Sequence, residues 1–153
     1  MKHILFLSLL CFSLIIPAKV SAQTNCMMLE EIFETKVEEE KGICKVEIVR
    51  KNLNVSHMGI KLSPETMGLL FHLGFENIDG KTAVMGEMPL MEDEVNAVVD
   101  ELRKGKIEVS AIHNHMINEE PRVLYLHFQG MGDLRQQAGI IKRAIAATGH
   151  KFN

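Results

Sequence analysis

Apolar residues recur at helical spacing in three segments of the chain. The clearest segment is Glu92 to Lys104, where the apolar positions fit one helical face and an acidic first turn leads to a basic last turn before Gly105. A shorter N-terminal segment begins near Met28, and a last one begins at Asp133, which suits a helix N-cap. The apolar positions of the three segments are, in chain order, Leu29, Ile32, Phe33 and Val37; Val95, Val98, Val99 and Leu102; and Leu134, Ala138, Ile141 and Ile145. These patterns predict three amphipathic helices.

Six other segments have the shorter period or composition of β-strands, and they span residues 43–50, 55–62, 69–77, 82–90, 107–115 and 122–129. The first two are expected to pair, and Asp79-Gly80 is a hairpin signal between the next two. The predicted order is therefore helix, four strands, helix, two strands, helix. This order predicts an α+β fold, with a mainly antiparallel sheet of about six strands and helices packed on one face.

The N-terminus has the pattern of a secretory signal peptide. Lys2 precedes an almost continuous apolar run from Ile4 to Pro17, and the small residues Ser21 and Ala22 precede Gln23. The run is shorter than the roughly 20 residues that a membrane-spanning helix needs. We therefore expect residues 1–22 to be removed and residues 23–153 to form a single periplasmic or extracellular domain without stable membrane insertion.

Charge and cysteine content limit the partners and the covalent links of this domain. The formal net charge is −3, and because the first 22 residues contain two lysines and no acid, the remainder carries −5. No basic face is apparent, so nucleic acid is not an expected partner. Cys26 and Cys44 remain after signal removal; in an oxidising compartment they can form a disulfide, but spacing alone leaves two free thiols equally compatible.

Three histidines near the last predicted hairpin are the main chemical signal. His113 and His115 stand at i and i+2 of one strand and so share a face, and His127 lies on the next strand. Pairing His115 with Val123 would bring His127 to the same face, whereas a shift of one residue would send it to the other. The three imidazoles are candidate ligands for a divalent transition metal, with zinc as first choice, and Glu119 is a candidate fourth ligand or general base.

Other interpretations of the same segment stay open. Exposed histidines at strand ends often bond only to backbone or solvent. A non-catalytic module could instead bind a small anionic ligand or a protein partner, through Asn114, Arg122 and the backbone of Gly130, Gly132 and Asp133 at a helix start. Metal-free acid–base catalysis by a histidine–carboxylate pair is a third possibility. Whether the domain is an enzyme is not decided by these residues.

Ordered sequence blocks resemble the LppY/LpqO family over nearly the whole mature chain. The most specific stretch runs from Glu92 to Asp133 and includes Ile112-His113-Asn114-His115-Met116, Glu119-Glu120-Pro121-Arg122 and His127-Phe128-Gln129-Gly130-Met131-Gly132-Asp133. The resemblance implies an exported bacterial protein of a family of unknown function, whose members often have two copies of the domain.

The family pattern includes the H-N-H segment, the E-x-P-R loop and the later histidine with G-x-G-D. The resemblance thus implies that the matching residues of this chain converge around one hairpin end and one helix start. They are His113, Asn114, His115, Glu119, Pro121, Arg122, His127, Gly130, Gly132 and Asp133. The chain has one copy of the domain, so a site built between two copies would require a homodimer. The leading expectation is an exported histidine-based metal-binding domain that performs metal-assisted hydrolysis, on a substrate that the sequence does not identify.

Overall fold

The computed structural model describes residues 24–152; the predicted signal peptide lies outside them. A six-stranded antiparallel sheet has the strand order β1-β2-β5-β6-β9-β7, and a small second sheet has the order β4-β3-β8. The strands are β1 Val37–Glu40, β2 Ile43–Val49, β3 Ser56–His57, β4 Ile60–Lys61, β5 Leu70–Ile78, β6 Lys81–Met91, β7 Glu108–Asn114, β8 Glu119–Glu120 and β9 Val123–Gly132. The helices are α1 Cys26–Phe33, α2 Val95–Lys104 and α3 Leu134–Ala146. The predicted α+β class is confirmed.

The hydrophobic core lies between the helices and one face of the large sheet. Each helix buries its apolar side there: Leu29 and Phe33 of α1, Val98 and Leu102 of α2, and Ile141 and Ile145 among others of α3. The sheet contributes alternate residues, such as Phe71, Leu73 and Phe75 of β5. Because side chains alternate across a strand, the residues between them point to the opposite face, which we call the open face.

Two details of the predicted elements are wrong. The N-terminal helix does not reach Val37, because Glu34 adopts a left-handed conformation (φ 54°) that ends α1, and Val37 starts β1 instead. Residues 55–62 do not form a strand paired with residues 43–50; they fold back on themselves at Met58-Gly59, and β2 pairs with β1 and β5. Lys41-Gly42, also with two positive φ angles, closes the β1–β2 hairpin.

Two cross-links connect the sheet to the helical layer. Cys26 at the start of α1 and Cys44 of β2 form a disulfide, which decides the alternative that spacing left open. Arg50, fully buried after β2, binds both carboxylate oxygens of Glu94 at the start of α2, at 2.6 and 2.9 Å. Its Nη1 also donates to the Pro89 carbonyl at 2.8 Å. These contacts fix the helix positions on the face of the sheet opposite the open face.

Within residues 24–152, none of the helices is long and apolar enough to cross a membrane.

Candidate functional site

The histidine-bearing strands β7 and β9 pair in the register that places the imidazoles together. Ala111 is opposite His127 and His113 is opposite Tyr125, while the His115 amide donates to the Val123 carbonyl at 2.9 Å. A β-bulge at Ser110, between Val109 and Ala111, determines which face of the sheet the following residues of β7 occupy. His113, His115 and His127 therefore all point to the open face.

His113 and His127 form a direct contact, which we call the histidine pair. Their Nε2 atoms are 2.8 Å apart, and their rings are stacked with centroids 5.0 Å apart. The Nδ1 atom of His113 lies 3.0 Å from the carbonyl oxygen of Asn114. A carbonyl only accepts hydrogen bonds, so Nδ1 of His113 is the donor, and in a neutral ring its Nε2 keeps a lone pair directed at His127.

The histidine pair lies at one end of a row of ionisable residues that crosses four strands. Glu47 of β2 is directly opposite His72 of β5, His72 is opposite Glu87 of β6, and Glu87 is opposite His127 of β9. Nε2 of His72 lies 3.7 Å from a Glu47 oxygen, and Nε2 of His127 lies 3.7 Å from a Glu87 oxygen. We call these four residues the Glu–His row; acids and imidazoles alternate along it.

His115 and Glu119 form a separate, more buried pair. Nδ1 of His115 lies 2.8 Å from one oxygen of Glu119, whose side chain is only 1% exposed. The other oxygen of Glu119 accepts hydrogen bonds from the amides of Val123 at 3.0 Å and Met116 at 3.4 Å. Glu119 therefore holds the segment between β7 and β9, and its side-chain hydrogen bonds are to His115, Met116 and Val123 rather than to the histidine pair.

Tyr125 separates the two histidine contacts. Its ring stacks on His115 at 4.6 Å and lies 6.2 Å from His113, and its hydroxyl donates to the Gly68 carbonyl. Burial raises the pKa of Tyr125 to about 12, and the negative charges of Glu87 and Glu119 add to this effect. The phenol is therefore a neutral hydrogen-bond donor at physiological pH.

The residues predicted for an anion site are not brought together. Arg122 precedes β9 and lies near Glu92, whereas Gly130, Gly132 and Asp133 lie at the other end of a strand about 33 Å long. The Asp133 carboxylate caps α3 by accepting from the Gln136 amide, so an acid already occupies that helix start. A side chain at Gly130 would collide with Gln137, which gives this glycine a packing role. Asn114 lies on β7 beside the histidine pair.

A shallow groove of about 580 Å³ adjoins the histidine pair on the open face. The small residues Gly74 of β5 and Ala111 of β7 lie along it, and Met85 of β6 borders it with 64% of its surface exposed. His72, Glu87, His113 and His127 also line the groove. Thus the groove brings an apolar surface next to imidazole and carboxylate side chains.

Among residues 24–152, no group of three or more histidine, cysteine, aspartate or glutamate side chains is already arranged to hold a metal ion. The arrangement most similar to such a group is the histidine pair, whose Nε2 atoms are at hydrogen-bond distance, together with Glu87 beside His127. No sequence pattern singled out Glu47, His72 or Glu87. The hairpin at Asp79-Gly80 was the available signal, because counting outward from it pairs His72 with Glu87.

Comparisons with known proteins give a family and no function. No curated protein and no solved structure matches the chain significantly. A family model described as a domain of unknown function, DUF1259, matches residues 27–147, which include α2, α3, all nine described strands and all of α1 except its first residue, Cys26. The chain therefore belongs to the domain of unknown function family DUF1259.

Proposed function

We propose that this protein is a metal-binding domain whose ion lies between His113 and His127 on the open face, with Glu87 as the third ligand. The observation that supports this most strongly is the pair of facing Nε2 atoms, 2.8 Å apart. The Asn114 carbonyl orients His113 through Nδ1, as second-shell acceptors orient metal-binding histidines.

A small movement would convert this hydrogen bond into a pair of metal–nitrogen bonds. Two nitrogens on one tetrahedral zinc ion, each about 2.0–2.1 Å from it, lie about 3.3 Å apart. The pair would need to open by roughly half an ångström, which side-chain rotation on an exposed face permits. Glu87, 3.7 Å from the same nitrogen of His127, is near enough to complete a site of two nitrogens and one oxygen.

Three protein ligands with an open position form the usual composition of a catalytic zinc site. The fourth position would face the groove that adjoins the histidine pair. We therefore propose metal-assisted hydrolysis as the reaction class, with a substrate that rests its apolar part against Met85 and Ala111. In this arrangement His115 and Glu119 support the loop and are not ligands.

The finer family assignment and the location belong to the same proposal. The sequence blocks from Glu92 to Asp133 support membership of the LppY/LpqO group. The signal-like N-terminus and the Cys26–Cys44 disulfide support function outside the cytoplasm, where disulfides persist.

The test is the zinc content of residues 23–153, purified without an affinity tag or chelator, reconstituted and measured by elemental analysis. We expect bound zinc in the wild type and loss of the ion at the histidine pair in His113→Ala and in His127→Ala. Glu87→Gln should weaken zinc binding while circular dichroism stays unchanged, because Glu87 is a surface side chain on an intact sheet.

The control variants separate this site from the one expected from sequence alone. Glu108→Gln removes an exposed acid of β7 that lies outside the Glu–His row. His115→Ala removes the third histidine that the sequence predicted as a ligand. Both variants should retain the zinc. Zinc loss in His115→Ala with the fold intact would replace Glu87 by His115 in the ligand set. A wild type without zinc after reconstitution would refute the metal-binding function.

A further inference from the structure

The two outer strands of the large sheet differ in how well they are protected against pairing with another strand. β1 has only four residues, and three of them are glutamates, whose charges oppose the addition of a strand. β7 is longer, and its last four residues, Ala111 to Asn114, are all exposed and include no acid, lysine or arginine. The edge of β7 is therefore the one on which a further strand can pair.

The hydrogen bonds of β7 to β9 determine which backbone groups this edge offers. The His115 amide donates to the Val123 carbonyl, so His113 and His115 direct their amide and carbonyl groups toward β9. Ile112 and Asn114 alternate with them and direct theirs outward. The Asn114 carbonyl is close to His113 Nδ1, but a carbonyl has two lone pairs and can accept a second hydrogen bond. The edge thus offers two donors and two acceptors.

We propose that β7 pairs with β7 of a second copy of this chain, antiparallel and related by a twofold axis at His113. In this register, Ile112 of each copy is opposite Asn114 of the partner. The outward amides and carbonyls of both residues therefore form four hydrogen bonds between the copies. The pairing joins the two six-stranded sheets into one continuous sheet. It depends on the backbone of β7, so it does not rest on the metal-binding function.

The β-bulge in β7 favours this register. Ser110 is the irregular residue of the strand, and the stretch from Ala111 to His115 follows it with regular pairing to β9. An axis at His113 is at the centre of that regular stretch. An axis one residue earlier would place Asn114 opposite the partner's Ser110, where the strand geometry is irregular. The regular stretch is thus complementary to itself, as a twofold interface requires.

Exposed apolar side chains at the end of β7 support a second copy as the partner. Met116 and Ile117 lie just beyond the strand and are 39% and 83% exposed. In the proposed register they continue alongside the partner's Ser110 and Val109, so contacts with the second copy would cover apolar surface at both ends of the interface. Since each copy uses its β7 edge and the β1 edge is protected by glutamates, the assembly closes at two chains.

The dimer also brings the histidine pairs of the two copies together. His113 is opposite the partner's His113 in a position without backbone hydrogen bonds, where Cα atoms are typically about 4.5 Å apart. Both imidazoles lie on the open face. Each copy therefore contributes an imidazole to the surroundings of the other copy's histidine pair, and the two open faces form one surface.

The first experiment is sedimentation velocity of tag-free residues 23–153 over a range of concentrations, with EDTA present. We expect a dimer for the wild type and a monomer for Ile112→Pro, because proline removes an outward amide and no bond to β9. Ile112→Val keeps the amide and is the matched control, which should remain a dimer. Circular dichroism should show the same fold for all three proteins.

Engineered cysteines test the position of the axis. His113→Cys should form a disulfide between chains under mild oxidation, because the two cysteines are directly opposite each other. In Ala111→Cys, on the same strand and face, the two cysteines are offset by about 14 Å along the strands and should not cross-link. Non-reducing gel electrophoresis compares the two variants.

Three results would overturn the proposal. A wild type that stays monomeric at every concentration would leave the β7 edge to a different partner or to none. A folded Ile112→Pro that remains a dimer would place the interface elsewhere. Equal cross-linking of the two cysteine variants would exclude the axis at His113. Because EDTA removes bound metal, each of these results is independent of whether the histidine pair binds zinc.

Discussion

Glu119 holds the imidazole of His115 at 2.8 Å and keeps it away from the histidine pair. The carboxylate is almost fully buried and also binds two backbone amides, so its contacts are those of a structural group. The two histidines of the H-N-H segment, His113 and His115, therefore have different neighbours, although they share a face.

This difference predicts opposite phenotypes for two neighbouring variants. His115→Ala should lower the free energy of unfolding by about 1–3 kcal/mol, because the buried Glu119 carboxylate loses a hydrogen-bond partner. His113→Ala, on the exposed side of Tyr125, should change stability little. Urea unfolding followed by circular dichroism measures both, and equal losses in the two variants would contradict the assignment.

The buried pair of Arg50 and Glu94 should be a main determinant of stability. Arg50→Ala should cost about 3–5 kcal/mol, because the Glu94 carboxylate and the Pro89 carbonyl lose the guanidinium that binds them in the protein interior. Chemical denaturation measures the loss. Lys142→Ala, which breaks a more exposed pair with Glu34, is the matched control and should have a much smaller effect. Similar losses in both variants would contradict the role of burial.

Reduction of the disulfide should destabilise the fold. The cross-link joins residues 18 positions apart, and closing a loop of this size restricts the unfolded chain by about 3 kcal/mol. We expect dithiothreitol to lower the unfolding midpoint of the wild type and to leave Cys26→Ser/Cys44→Ser unaffected. A wild type that is insensitive to reductant would show that the bridge adds no stability.

Stability should fall at alkaline pH because of Tyr125. Its folded pKa, about 12, lies above the usual value of 10.0, so the folded state favours the neutral phenol. The stabilisation is complete below pH 10 and is lost as pH rises from about 10 through about 12. Tyr125 is the sole tyrosine of the chain, so tyrosinate absorbance reports it alone. In Tyr125→Phe this part of the pH dependence should disappear; an unchanged alkaline slope would assign it to other groups.

Local signals in the sequence were sufficient for much of the fold. Helical periodicity located α2 and α3, and Asp79-Gly80 identified the β5–β6 hairpin, because these features depend on neighbours in the chain. The strand Val37–Glu40 was missed because three consecutive glutamates do not have a strand-like pattern. They are tolerated because β1 is an edge strand with exposed side chains.

The candidate site was predictable only in part, since it depends on contacts between strands that are distant in sequence. The spacing of His113 and His115 fixed their common face, but the pairing of β6 with β9 brings Glu87 to His127 across 40 positions. No turn connects those two strands directly, because α2 and β7 intervene. The register that creates the Glu–His row is thus a property of the assembled sheet.

The extra residue Ser110 gives β7 two phases. Before Ser110, Val109 points to the helices and Glu108 points to the open face. After Ser110, Ala111 and His113 also point to the open face, although they lie an odd number of positions, three and five, after Glu108. If side chains alternated strictly from Glu108 onward, His113 and His115 would point to the helices. A relative that lacks only Ser110 would therefore keep His113 on the open face. A relative that lacks the residue between Ala111 and His113 would turn His113 toward the helices.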